Sequence, residues 1–350
     1  VSTDIALNGD GFLVVAGTVD GITGNFYTRA GQLTIDADGF LVNPQNLNVQ
    51  GYLANPNGTL QAAVGDLRVP TASLSPFATT EITVTANLDS TSEVPVAAFD
   101  LTDPAGTSNA STSITVFDSL GAARTLDVYF RKTAANTFDY FVLANGDDLA
   151  GGTPGEFTQV STGTLAFNTD GALDTATTPD ISVDFSGGAT AAQVISMNFG
   201  TDIASGGTGL DGTTQFASAT AVSSQSQDGY ASGEFSGLAI DGTGLVQGLY
   251  TNGQKIAIGQ LAVAKFRSND GLGRAGQNLW IETRESGTAA LGAAGAGGRA
   301  SVSAAALESS NVDLGEEFVG LIQHQRSFSA NSRTITTADE MLQELINIKR

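Results

Sequence analysis

Two different periods of apolar and polar residues divide this chain. From Val1 to about residue 290, short apolar or alternating runs are separated by Asp-Gly and Asn-Gly pairs. These pairs are the strongest short-range signal for tight β-hairpin turns, because both residues tolerate the positive φ such turns need. They include Asp20-Gly21, Asp38-Gly39, Asn57-Gly58, Asn145-Gly146, Asp170-Gly171, Asp241-Gly242 and Asn252-Gly253. Residues 11–15, 114–117, 125–130 and 259–266 between them read as strands. In 125–130, Leu126, Val128 and Phe130 alternate with Thr125, Asp127 and Tyr129, as a strand buried on one face requires. The pattern predicts antiparallel sheets assembled from hairpins.

Around residue 291 the pattern changes. Residues 291–306 are rich in Gly, Ala and Ser without turn chemistry or strand periodicity, and read as a linker. Beyond it the period becomes seven. Leu314, Leu321, Phe328, Ile335 and Leu342 recur at that interval, and Phe318 and Ile346 occupy the companion position, so 307–350 is expected to form a long helix with one apolar seam. Ser310-Asn311-Val312-Asp313 has the spacing of an N-terminal cap and places the helix start near Asn311. Gln325, Ser332 and Asp339 interrupt the seam, which points to a specific partner helix rather than free dimerisation. Gly315, Gly320 and the β-branched run 334–337 weaken intrinsic helicity, so the helix is expected to be marginal alone and ordered by packing.

Composition narrows the chemistry. Fifteen Lys and Arg against 36 Asp and Glu give a formal charge of −21, which opposes binding to nucleic acid or to an anionic membrane surface. The chain has no cysteine, which removes disulfides and thiolate ligation, and its one histidine, His324, is too few for a multi-His metal site. No apolar run is long enough for a transmembrane helix, and the first residues carry no signal peptide, so no membrane insertion is expected. The absence of an initiator Met suggests numbering that begins inside a longer parent or at a processed end.

Candidate sites fail on context. Gly207/Gly209/Gly212 and Gly271/Gly273/Gly276 match a dinucleotide-binding spacing, but neither is followed by a helix pattern. Gly206–Asp211 begins like a calcium-binding nonapeptide, but only one copy is present, and the acidic loops at Asp38 and Asp170 lack the Glu of an EF-type loop. Carboxylate pairs such as Asp147/Asp148 and Asp100/Asp103 are unavoidable among so many acids, and no nucleophile motif accompanies them. His324 lies off the seam and reads as solvated or interfacial. Trp280 reads as core. No catalytic residue, cofactor or metal ligand is therefore assigned, and the chain is not expected to be an enzyme.

Several stretches carry a resemblance to a known family. Residues 4–12, 27–31, 38–42 and 50–52 are similar to the signature of axial rod and hook proteins; 226–230, 259–266 and 278–280 resemble the return half of a hook surface domain. The most specific stretches are 306–314, Gln325-Arg326, Ala330-Asn331 and 338–343. The chain resembles the bacterial flagellar hook protein family, lacking its N-terminal helical segment. That resemblance implies a structural subunit that polymerises into a flexible curved tube and transmits torque from rod to filament as a universal joint. Its partners would be copies of itself and the rod, hook cap and hook–filament junction proteins. It would lie in the extracellular hook of the basal body, exported by the type III route without a cleaved signal peptide. The fold expected is mainly β: residues 1–86 and 213–290 form one discontinuous domain, 87–212 an inserted outer domain, and the long C-terminal helix follows. A distal rod protein is the near alternative, disfavoured by the large 87–212 insertion; a secreted carbohydrate-active enzyme is the remote one.

Overall fold

The computed structural model describes residues 3–55, 58–70 and 72–348, except for the side chains of 346 and 347. Asn57 of the Asn57-Gly58 turn, and Lys349 and Arg350 at the end of the expected helix, lie outside them. The fold is mainly β with one long helix, Leu314–Ile348. It divides into two compact units. One holds 1–69, 239–246 and 258–350, the other 70–238 and 247–257. These bounds differ from the expected 86/87 and 212/213 divisions, because strands Glu81–Asn87 and Ala221–Gln227 join the sheet of the second unit; the chain also passes between the units a second time within 239–257.

The first unit, called inner below, is built on strands Phe12–Val19, Ile22–Thr28, Asn48–Ala54 and Lys255–Lys265, the last entering it at residue 258. Asp20 and Gly21, both at positive φ (49° and 82°), make the two-residue turn between the first two, as the sequence predicts. Strand Lys255–Lys265 pairs antiparallel with Asn48–Ala54, with Phe12–Val19 and with Ala290–Ala293. Being covered on both faces, Phe12 to Val15 and Leu261 to Ala264 are continuously buried rather than alternating. Phe266 meets Tyr27 edge to face at 4.7 Å, and burial together with the nearby Glu282 carboxylate pushes the Tyr27 hydroxyl up to about 12. Trp280 is half-buried, with the Arg274 guanidinium over its ring at 5.4 Å, rather than enclosed in the core.

The expected linker 291–306 is corrected. Ala290–Ala293 adds to the main sheet, and Ser301–Ala304 pairs with Ile5–Asn8 in a separate two-stranded ribbon. Small side chains conceal these strands from a pattern search. Gly292 leaves room for the Arg299 guanidinium, which a Cβ there would meet at 2.5 Å.

The second unit, called outer below, packs a five-stranded antiparallel sheet against a four-stranded one. The first runs Leu173–Thr177, Phe157–Phe167, Thr137–Asn145, Ala123–Ala134, Ala110–Phe117; the second Ile181–Val183, Gln193–Asn198, Glu81–Asn87, Ala221–Gln227. Gln193–Asn198 lies parallel to Glu81–Asn87. Leu126, Val128 and Phe130 point into the core with Ile82, Val84, Val116, Tyr140 and Phe199, while Thr125 is exposed and Asp127 and Tyr129 are half-buried. Each fully buried large apolar side chain contributes about 1.5–3 kcal/mol relative to exposure. Tyr140 is enclosed, and burial raises its hydroxyl to about 12.

Polar groups close this unit. Arg124 pairs with Asp118 at 3.3 Å and Asp148 at 2.9 Å and donates to the Ser186 carbonyl at 2.7 Å. Lys132 donates to the carbonyls of Ser90 and Ser92, and Arg131 to those of Pro95 and Ala97, so the long segment 88–109 is tied down by cations that bond to backbone carbonyls. Val96, between the two carbonyls gripped by Arg131, is fully exposed.

Candidate assembly interface

The helix Leu314–Ile348 has 35 residues and reaches about 50 Å at 1.5 Å per residue. It starts later than expected, and its cap is corrected from Ser310 to Asp313. The Asp313 Oδ1 accepts from the backbone N–H of Gly315 at 2.7 Å and of Glu316 at 3.4 Å, while Ser310 Oγ only accepts from Val312 N–H in the preceding turn. Glu316 and Glu317 in the first turn complement the positive end of the helix dipole. Residues 307–313 are not helical.

The helix stays continuous through its weak points. Thr334, Thr336 and Thr337 hydroxyls donate back to the carbonyls of Ala330, Ser332 and Arg333 at 2.7–3.2 Å. This satisfies the hydroxyls locally and lets a β-branched run sit in a helix.

The structure places Leu314, Phe318, Leu321, Phe328, Ile335 and Leu342 on one helix, and all six are exposed, from 50% at Leu321 to 75% at Phe328. The Ile346 side chain lies outside the described residues. Gly320 opens a shallow notch in the first turns, lined by Leu314, Glu317, Phe318, Leu321 and His324. His324 is exposed beside the seam.

A single-seam reading missed a second apolar group. Val319, Met341 and Ile348 are also exposed and fall well away from the seam at 3.6 residues per turn, with exposed Leu345 between them and Leu342. Met341 and Ile348 are seven residues apart, but that single pair does not recur along the helix as the seam positions do. The helix is thus apolar on two sides, and neither side is covered.

Such a helix is chemically inert; what it can do is bury apolar surface against other helices. Among the described residues no group of acids and histidine is arranged to hold a metal ion, and no helix is long and apolar enough to cross a membrane. A β-rich body bearing a long, uncovered helix describes an assembling structural subunit. The comparisons with known proteins say which. Residues 6–90 match the Flagellar hook protein FlgE/F/G D1 domain, 87–230 the Flagellar basal body protein FlaE D2 domain, and 303–348 the Flagellar basal body rod FlgEFG protein C-terminal region. The chain is 34% identical over 350 residues to the flagellar hook protein FlgE of Salmonella typhimurium, covering 99% of this chain and 82% of that one. It is 31% identical to that of Borreliella burgdorferi, over 99% and 79% respectively. In fold it is similar to the crystal structure of Helicobacter pylori flagellar hook protein FlgE2, with a TM-score of 0.64 at 13% identity, covering 88% of this chain and 99% of that one.

The chain belongs to the flagellar hook protein family, and is a structural subunit of the hook rather than an enzyme. The remote carbohydrate-active reading is thereby overturned. The D2 match falls on the middle segment that separates the hook reading from the rod alternative.

Proposed function

We propose that the subunit polymerises through the two apolar sides of its terminal helix, with Leu314, Phe318, Leu321, Phe328, Ile335, Leu342 and Ile346 forming the seam against a partner helix. The observation that carries this is the exposure of the described seam side chains in a subunit of a self-assembling organelle. Exposed apolar faces of this length are interaction surfaces. The second side, Val319, Met341, Leu345 and Ile348, then meets a further neighbour, so each helix is enclosed by more than one copy. The polymer is a flexible tube acting as a universal joint between rod and filament. The β-units lie outside it and make weak contacts that break and reform as the tube bends. Rod, hook cap and hook–filament junction proteins are its end partners, and export follows the flagellar type III route without a cleaved signal.

The test is substitution in the seam. Leu321→Asp or Phe328→Asp would place an unpaired charge in the packed interface. We expect the subunit to fold normally by circular dichroism and to form no tubes by electron microscopy. Curved hooks of normal length from either variant would refute the seam.

A further inference from the structure

Arg29 stands where the chain enters and leaves the inner β-unit. Its Nη1 donates to the carbonyls of Gly9 and Gly11, both at 3.0 Å, and Nη2 to the carbonyl of Leu7 at 3.0 Å. Its Nε faces both carboxylate oxygens of Glu308, at 2.8 and 3.1 Å. One guanidinium thereby joins the end of the Ile5–Asn8 strand to a carboxylate six residues ahead of the terminal helix.

The connector 305–313, between strand Ser301–Ala304 and the helix, has little else to hold it. Among the described residues, Glu308 makes its only hydrogen-bonded or ionic contact with the β-strand region. The connector also begins on an unfavourable backbone. Ala305 has φ 53°, in the left-handed region that residues with a Cβ rarely adopt.

We propose that the Arg29–Glu308 pair is a latch that sets the direction in which the terminal helix leaves the inner β-unit. The inference rests on the reading of that helix as the polymerising element. The two side chains are 32% and 40% exposed, so water and salt compete for the carboxylate. The three carbonyl contacts of Arg29 are not an ion pair and persist when Glu308 departs. The guanidinium therefore stays in place and the latch can close again. With it open, the connector relaxes from its Ala305 turn and the helix changes direction, while the Ile5–Asn8 and Ser301–Ala304 ribbon stays paired. A bending tube requires neighbouring subunits to differ in that direction, and one solvated ion pair supplies two settings.

The test uses the full chain below the concentration at which it assembles. The native sequence has no cysteine, so nitroxides can be attached through D270C and V312C alone, both exposed positions. Pulsed EPR should give a narrow distance distribution at low salt that broadens in about 0.5 M NaCl, where the Debye length falls to a few Å. With Glu308→Gln added, the distribution should be broad at both salts, while hydrogen exchange of residues 301–304 is unchanged. Equal widths for the two proteins at low salt would overturn the latch. Loss of protection in 301–304 would also overturn it, since the pair would then support the ribbon rather than gate the connector. Because the readout is on unassembled chain, failure of the latch is separate from failure of the seam, which is read in tubes.

Discussion

Phe130 in the outer β-unit is 1% exposed and meets Phe199 edge to face at 6.0 Å; Phe328 in the terminal helix is 75% exposed and has no ring partner among the described residues. The two side chains are identical, and the difference lies in where their burial takes place. The outer unit completes its core within one chain, closing two sheets over Ile82, Val128, Phe138 and Tyr140. The helix presents its apolar side chains uncovered. Charge follows the same division. The outer unit carries −15 of the formal −21, from 19 acids against Arg124, Arg131, Lys132 and Lys255. Three of those four cations are engaged inside the unit, so copies facing each other there repel. In the proposed assembly the helix would supply attraction and the outer unit would oppose it, a balance that suits contacts required to slide.

The comparison breaks most sharply at the paired phenylalanines. Phe130→Ala should destabilise the outer unit by about 3–5 kcal/mol in denaturant titration, because the closed core cannot refill the cavity. Phe328→Ala should leave the monomer's unfolding midpoint unchanged and weaken only polymerisation. An equal loss of monomer stability in both would mean that the helix is already packed in the single chain.

Acid should act on the outer unit next. Burial works against the charged form of Asp228, but hydrogen bonds from the Thr80 hydroxyl and the amides of Thr80 and Glu81 outweigh it and hold the carboxyl below its ordinary 3.8. A folded-state value below the unfolded one gives stability that is complete above 3.8 and is lost as pH falls through the lowered folded value. Asp228→Asn should therefore lower stability near neutral pH and flatten its decline in acid, measured by thermal unfolding across pH. An unchanged acid limb would remove Asp228 from the account. The smallest effect is expected from salt: raising ionic strength should modestly lower the critical concentration for assembly by screening the outer units, as light scattering would record. A rise would place the dominant electrostatic contacts elsewhere.

Local chemistry was legible in the sequence where one segment carries its own signal. Asp20-Gly21 specified its hairpin, the alternation over 125–130 specified its facing, and the sevenfold apolar repeat located the helix. What pairs distant segments was not legible. Nothing in Ile5–Asn8 indicates that it pairs with Ser301–Ala304, and nothing in Gln193–Asn198 announces a parallel neighbour, because register is set by packing that joins residues far apart. The Gly/Ala stretch read as a linker because strands of small residues lack a period. The cap moved from Ser310 to Asp313 because both are good caps, and the choice depends on where the preceding chain is tied. Val319, Met341, Leu345 and Ile348 escaped notice because a sevenfold template needs several repeats, and among them only Met341 and Ile348 are seven apart.

The ribbon of Ile5–Asn8 and Ser301–Ala304 has a consequence for how such a protein can change over generations. Entry and exit lie side by side, antiparallel and in register from Ile5 with Ala304 to Asn8 with Ser301. Everything between them hangs from that stem as a pendant. A pendant can gain a strand, lose a loop or exchange a whole subdomain without altering the spacing of the stem, and the terminal helix still emerges from the same place. The body between the two strands is thereby open to variation while the stem that leads to the helix is kept.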